Sequence, residues 1–293
     1  MNFNEKYNKI KSLAKDEIKT IEENMVQQIQ TREPLKSSLV KFLTSPAKRI
    51  RPLLAILYTK ALGEELNNNQ IEHLTVIEMV HNASLIHDDI IDESKVRRGQ
   101  DTINANFDNK LAVISGDYIL SLSMEKLATI GNSEIIKDFS QTIRKMCIGE
   151  INQNFDRFKI GTIEDYIEKN KNKTAHLFEI ALTGCAKLSN QQHNLKEVSE
   201  LGLNIGIAFQ IRDDLINMIS SDTSKPTNND YQDGIYTAPV ILGNKSDNYT
   251  SGIEKTKILL NNYLQSAKEQ VTKLPDNEYK EALEEFLELL NNV

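Results

Sequence analysis

Two segments put acidic side chains where a helix does not favour them. Asp88-Asp89-Ile90-Ile91-Asp92 and Asp213-Asp214-Leu215-Ile216-Asn217 each follow apolar residues at helical spacing. Aspartate is a poor helix former because its short carboxylate competes for nearby backbone amides. Clustered on a mostly buried face, it also carries a desolvation cost. Helical geometry places Asp88 and Asp92 on one face, a turn apart, with Asp89 about 100° round. Such a face calls for cations. The donors are hard oxygens with no His or Cys set in metal-ligand spacing, and this suits magnesium, which bridges carboxylates to substrate phosphates. One such segment alone reads equally well as a solvated helix face. Two, each accompanied by basic residues, favour a site built from Asp88, Asp92 and Asp213.

The basic residues are the other half of that site. Lys48-Arg49-Ile50-Arg51-Pro52 precedes the first acidic segment, Arg97-Arg98-Gly99 follows it, and Lys173-Thr174 lies between the two acidic segments. The chain carries a formal net charge of −7, so these clusters are not part of a general basic surface. Arginine forks match phosphate oxygens bidentately, and lysine supplies a point charge. Any one basic pair is ordinary surface salt bridging. Together they outline two anion sites around a metal cluster, which a diphosphate would fill.

The elements that must hold these residues read as helices. The 293-residue chain has only 12 Gly and 6 Pro. Apolar residues recur at spacings of three and four, as in Leu201, Ile205, Ala208 and Ile211, and no stretch shows sustained alternation. The expectation is an all-α fold, a single domain over residues 1–293, with many helices around a central cavity. Gly202 and Gly206, four apart, let a neighbouring helix approach just before the second acidic segment. Residues 221–234, rich in Ser, Thr, Asn and Asp, read as a long loop and as a lid over phosphates. Residues 275–293 read as a final structural helix. Cys147 and Cys185 form no metal pattern and read as buried free thiols in a reducing cytoplasm. No stretch has the length and apolarity of a membrane span, and the N-terminus is charged and amphipathic rather than signal-like. His87 reads as a packing residue. No nucleophile triad, Gly-rich phosphate loop or nucleic-acid signature is present.

These residues, in this order, resemble the trans-isoprenyl (polyprenyl) diphosphate synthases. The elements that carry the resemblance run from Lys48-Arg49-Ile50-Arg51-Pro52 through both acidic segments. Between them stand Arg97-Arg98-Gly99, Gly149-Glu150-Ile151-Asn152-Gln153 and Lys173-Thr174-Ala175, and Phe209-Gln210 precedes Asp213. The resemblance implies head-to-tail condensation of isopentenyl diphosphate with an allylic diphosphate such as farnesyl diphosphate. It implies Mg2+, three ions with substrate bound, held by Asp88, Asp92 and Asp213. It assigns Arg97, Lys173, Thr174, Gln210 and Lys225 to the allylic diphosphate. Lys48, Arg51, His81 and Arg98 go to the metal-free isopentenyl diphosphate. It further implies a homodimer, paired over residues 111–130, in the cytoplasm, with transient membrane contact for product release.

Four positions depart from the family pattern. Asn217 stands in place of an aspartate, Ile235 in place of a lysine, Ala47 in place of a glycine and Ser224 in place of a glycine. The first two bear on the third metal and on loop closure. Ser84 and Ala83, four and five residues before Asp88, are small, whereas aromatic residues there accompany short products in the family. A medium or long all-trans product is therefore expected, of about six to ten isoprene units along the helix axis. The tunnel floor is expected among Met79, Val80, Met124 and Leu127. The alternatives are a shorter-chain synthase, the catalytic subunit of a two-component synthase, a terpene cyclase, a regulatory subunit and a helical scaffold. A cyclase has no use for the second anion site.

Overall fold

One helix, buried nearly all round, organises the molecule. In the computed structural model, which describes residues 3–219, 233–243 and 249–293, helix α5 (Asn68–Ile91) runs through the centre. Asn67 starts it with a capping box, its side chain accepting from Gln70 N–H while the Gln70 side chain accepts from Asn67 N–H. The helix is apolar on more than one face because it separates two hydrophobic clusters. Leu74, Ile77 and Val80 join the larger cluster, and Met79, Ala83 and Ile86 join the smaller.

Around α5 the chain is helical almost throughout. Helices α1 (Phe3–Ser12), α2 (Lys15–Gln27), α3 (Leu35–Leu43) and α4 (Ile50–Ala61) precede it. A two-residue antiparallel hairpin, β1 (Val96–Arg97) and β2 (Gln100–Asp101), and a short α6 (Ile103–Asn106) follow. Then come α7 (Asn109–Ile130), α8 (Ser133–Phe155) and α9 (Ile163–Asn170). A π turn, Lys171–Ala175, leads into α10 (His176–Leu188), then α11 (Leu195–Ile219). The short α12 (Ala238–Leu242), α13 (Thr250–Val271) and α14 (Glu278–Asn291) complete the described residues.

The all-α expectation holds, and the hairpin is the addition that helical periodicity could not foresee. It arises at Arg98 and Gly99, whose φ angles of 51° and 71° make the left-handed pair of a tight two-residue turn. The two glycines of α11 act as expected. A Cβ on Gly202 would lie 2.7 Å from Glu179 Cα, and one on Gly206 would lie 2.6 Å from Ala175 Cα. Helix α11 thus seats directly on α10 and the π turn, which brings the second acidic segment beside Lys173 and Thr174.

One expectation is corrected and one falls outside the described residues. Cys185 is buried, but Cys147 is exposed, on a face of α8 that also exposes Ile148 and Ile151. Apolar neighbours in sequence did not mean burial there. Residues 220–232, which include Lys225 and most of the expected lid, lie outside the described residues. The final helix is present as α14, capped by Asn277 and packed through Leu283, Phe286 and Leu287.

Candidate active site

The three aspartates of the first segment serve three purposes, because α5 ends within it. Ile91 is the last helical residue and Asp92 caps the end, its N–H donating to Asp88 O at 2.8 Å. Asp92 is exposed there and borders a cavity of about 270 Å³. Asp88, half-buried, faces Lys173 and Glu150. Its pKa is pushed up to about 6, first by burial and then by Glu150 and Asp92, against the opposing charges of Lys173 and Arg97. Asp89 turns inward and is 1 % exposed. Its Oδ1 accepts from Arg97 Nε at 2.7 Å and its carbonyl accepts from Asn104 Nδ2 at 3.2 Å. Asp89 therefore holds the hairpin that carries Arg97 and Arg98.

The cations divide in the same manner. Arg49, at φ 54°, is buried at the head of α4. Its guanidinium pairs with Glu22 at 2.9 Å and Glu78 at 3.1 Å, so it ties α4 to α2 and α5. Removing one partner of such a buried set leaves an uncompensated charge. Its neighbours Lys48 and Arg51 instead lie on aromatic faces, Lys48 Nζ 5.0 Å from the Phe3 ring centre and Arg51 Cζ 4.6 Å from that of Phe178. Arg98 Nη1 donates to Ser45 Oγ at 3.0 Å. Among the described residues no carboxylate forms an ion pair with Lys48, Arg51 or Arg98.

His81 completes this group. Its pKa is held well below the usual value, first by burial and then by Arg51 and Arg98, with Arg49 and Arg97 adding to it. It is a neutral imidazole among arginines. Burial lowers Arg51 to about 10, which leaves it charged at neutral pH.

Across the cavity Lys173 meets Glu150 of α8 in an ion pair. Burial works against the charge on Lys173, but Glu150, Asp88 and Asp92 outweigh it and raise its pKa. Lys173 sits in the π turn, an extra residue inserted into the helical path, which is how a functional side chain is re-aimed without breaking a helix. Thr174, Gln210 and Asp214 join in one hydrogen-bonded line, Thr174 Oγ1 to Gln210 Oε1 at 3.1 Å and Gln210 Nε2 to Asp214 Oδ1 at 3.0 Å. Asp213, one residue away, faces Lys48, Arg212 and Arg51. Its pKa is raised because burial outweighs these three cations. Asn217 is exposed near the end of α11.

The cavity is walled by Asp92, Gln153, Lys173, Gln210, Asp214 and Asp233. It unites residues of both acidic segments with two of the three elements between them, through Gln153 and Lys173. Ile235 lies in the same wall and offers no charge where the resemblance expects a lysine. Among the described residues no three acidic, His or Cys side chains converge on one metal position. The oxygen donors around the cavity are nonetheless mainly carboxylates and amides, from Asp92, Asp214, Asp233, Gln153, Asn170 and Gln210. Such a set fits a hard divalent cation held by one or two carboxylates and completed by substrate phosphates.

The sequence reading missed Asp214, Tyr166 and the division of labour within the basic cluster. Asp214 lies one turn beyond Gln210, a spacing that pointed to it. Tyr166 had no such signal. The two small residues also separate. Ser84 is half-buried, one turn before Asp88 on its side of α5, and its hydroxyl donates to His81 O at 2.8 Å. Ala83 is buried in the smaller cluster with Met79 and Ile86. Val80 and Leu127 belong to the larger cluster and Met124 packs against it, so the residues expected at the floor lie on both sides of α5. His87 rests on Gly116 of α7, where a Cβ would come within 2.3 Å of its ring.

A helical cavity with acidic walls and two separate cationic groups has the charge pattern of a site for anionic ligands. The comparisons agree. The polyprenyl synthetase family model matches residues 32–280. A prenyl transferase of Cyanidium caldarium is 33% identical over 95% of this chain and 96% of its own. Heptaprenyl diphosphate synthase component 2 of Bacillus subtilis is 33% identical over 80% of this chain and 69% of its own. The crystal structure of heptaprenyl diphosphate synthase from Staphylococcus aureus, 25% identical, covers 100% of this chain and 99% of its own with a TM-score of 0.85. The chain belongs to the polyprenyl synthetase family, and it is an enzyme of the transferase class.

Proposed function

We propose that this enzyme condenses isopentenyl diphosphate head-to-tail with an allylic diphosphate, farnesyl diphosphate being the test substrate, to give an all-trans polyprenyl diphosphate of medium or long chain. One observation carries the reading. Two cationic groups flank the acidic walls, and they differ in what neutralises them. Arg97 and Lys173 are paired with carboxylates, whereas among the described residues Lys48, Arg51 and Arg98 are not. The first environment suits a diphosphate that arrives with metal ions, and the second suits a diphosphate that arrives without them.

In the reaction the allylic C–O bond breaks and the diphosphate leaves with the electron pair. Arg97, Lys173 and the Gln210 amide hold that leaving group and favour its departure by offsetting its charge. Mg2+ held by Asp88, Asp92 and Asp213 supplies further charge neutralisation at the leaving group when bound. The double bond of isopentenyl diphosphate, fixed through Lys48, Arg51, Arg98 and neutral His81, attacks the allylic cation. The resulting cation loses a proton, and the departed diphosphate is the base that the resemblance implies. Incubation with labelled isopentenyl diphosphate, farnesyl diphosphate and magnesium, followed by chromatography of the dephosphorylated products, tests the reading. Absence of elongated product, both from the chain alone and with a second subunit added, overturns it.

The proposed assembly is a homodimer through α7, which leaves Val113 and Ile114 44% and 52% exposed. Light scattering checks it, and a monomeric mass contradicts it. The likeness to a protein named component 2 supports one alternative, a catalytic subunit that needs a second polypeptide. In that case the purified chain stays inactive until the partner is added. No helix among the described residues is long and apolar enough to cross a membrane. The proposed location is the cytoplasm, with transient membrane contact for release of product.

A further inference from the structure

Four side chains from three elements form one hydrogen-bonded line along the cavity wall. Thr174 belongs to the π turn, Gln210 and Asp214 to one face of α11, and Tyr166 to α9. The line runs from Thr174 through Gln210 to Asp214, and Tyr166 OH closes it by donating to Asp214 Oδ2 at 2.6 Å. Tyr166 is 3 % exposed and does not line this cavity, whereas Gln210 and Asp214 do.

The direction of this line is set at the Tyr166 end. An ionised carboxylate only accepts hydrogen bonds. The Tyr166 hydroxyl keeps its proton, because burial and the Asp214 charge hold its pKa well above the usual value. It therefore donates to one Asp214 oxygen. The other oxygen faces Gln210 and requires the NH2 side of the amide. The amide oxygen then turns to Thr174, whose hydroxyl has to donate. One hydrogen of the Gln210 NH2 is used on Asp214, and the second remains for the cavity. With the amide reversed, Gln210 would present a carbonyl oxygen to a phosphate oxygen, and the two would repel. Orientation of an amide is decided by its network in this way, since its own two ends are nearly the same size.

We infer that Tyr166 is a positioning residue for prenyl transfer: through Asp214 it fixes the Gln210 amide so that Gln210 meets the allylic diphosphate as a hydrogen-bond donor. The inference rests on the prenyl-transfer reading and extends it to a residue outside the cavity lining. It also gives Asp214 a role distinct from that of Asp213, as the acceptor that polarises the line.

Tyr166→Phe tests it, because the ring is kept and only the donor is lost. Steady-state rates are measured with farnesyl diphosphate and isopentenyl diphosphate varied in turn, alongside thermal unfolding. The expected result is a rise of about tenfold in KM for farnesyl diphosphate, the scale of one lost buried hydrogen bond. KM for isopentenyl diphosphate changes by less than about twofold, since that site is separate. In a Gln210→Ala background, Tyr166→Phe adds nothing further. Equal rises in both KM values, no rise in either, or an added loss in the Gln210→Ala background overturn the inference, since Tyr166 then acts on the fold alone or not at all. If Tyr166→Phe does not fold, Asp214→Asn takes its place. That change lets the amide reverse and is expected to produce the same selective rise. A wild-type enzyme that forms no product, alone or with a second subunit added, refutes the prenyl-transfer reading itself, whereas product without the KM split refutes only the role of Tyr166.

Discussion

The two aspartate-rich segments look alike in sequence and are built differently. The first lies where α5 stops, so Asp92 is a helix cap at the cavity edge and Asp88 stands beside an ion pair. The second lies inside α11, which continues to Ile219. There Asp214 is buried with both oxygens occupied, by Gln210 and Tyr166, and Asp213 faces Lys48 and Arg51. Carboxylates at a helix end can reorganise around an arriving ion. Those in mid-helix are held by their neighbours. We therefore propose the first segment as the principal acidic anchor, with the second mainly shaping and orienting the wall opposite.

The largest expected effect tests that asymmetry. Asp88→Ala or Asp92→Ala should lower kcat by about 10³-fold or more while the fold persists, and steady-state kinetics with circular dichroism check both points. Near wild-type turnover in either variant would break the assignment.

Arg98→Ala comes next. It removes a charge-assisted contact from the group that has no carboxylate ion pair among the described residues. KM for isopentenyl diphosphate should rise by about 10- to 100-fold, with a much smaller change for the allylic substrate. A parallel rise in both would mean that the two cationic groups are not separate sites.

Asp88 also gives a pH test in the metal-free protein. Its folded-state pKa of about 6 lies above the ordinary value of 3.8. The folded state thus binds this proton more tightly than the unfolded state does. The stability that follows is fully present below pH 3.8 and is lost as pH rises through about 6. Asp88→Asn should therefore raise the melting temperature above pH 6 more than it does below pH 3.8. Thermal scans of both proteins across this range are the check, and identical pH profiles would show that Asp88 is not strained by its neighbours.

Product length should separate Ser84 from Ala83. Ser84→Phe places a ring one turn below Asp88 and is expected to shorten the product to about three or four isoprene units, a turn of helix being the depth at stake. Ala83→Phe enters a packed cluster and is expected to cost about 1–3 kcal/mol in stability as well. Product chromatography and denaturant unfolding distinguish the two. The smallest effect is expected at Asn217. Asn217→Asp should stay active and lower the magnesium concentration needed for half-maximal rate, because it restores a carboxylate at an exposed position. A metal titration decides it, and abolished activity would mean that the site depends on the amide.

Much of this was legible in the chain because the chemistry is costly to hide. Adjacent aspartates in apolar helix, arginine pairs in an acidic protein, and glycines spaced four apart before the second segment each signal a local need. What the sequence could not show depends on partners brought from afar. Of Lys48, Arg49 and Arg51, only the structure singles out Arg49 as the structural one, because Glu22 and Glu78 reach it from α2 and α5. That α5 ends at Ile91, with Glu93 turning left-handed at φ 51°, is announced by no glycine or proline in the segment. The π turn at Lys173 reads as ordinary helix in one dimension. Cys147 was misread because exposed apolar residues share its face of α8.

The central claim is that one cationic group binds a metal-borne allylic diphosphate while the other binds isopentenyl diphosphate without metal. Calorimetric titration of the protein with each substrate, with and without magnesium, tests it most directly. Isopentenyl diphosphate is expected to bind equally well in chelator and in magnesium, and Arg98→Ala to weaken this binding by about 10- to 100-fold. An unreactive allylic thiodiphosphate is expected to bind only with magnesium, and Asp92→Ala to abolish that binding. Isopentenyl diphosphate binding that disappears in chelator would contradict the claim.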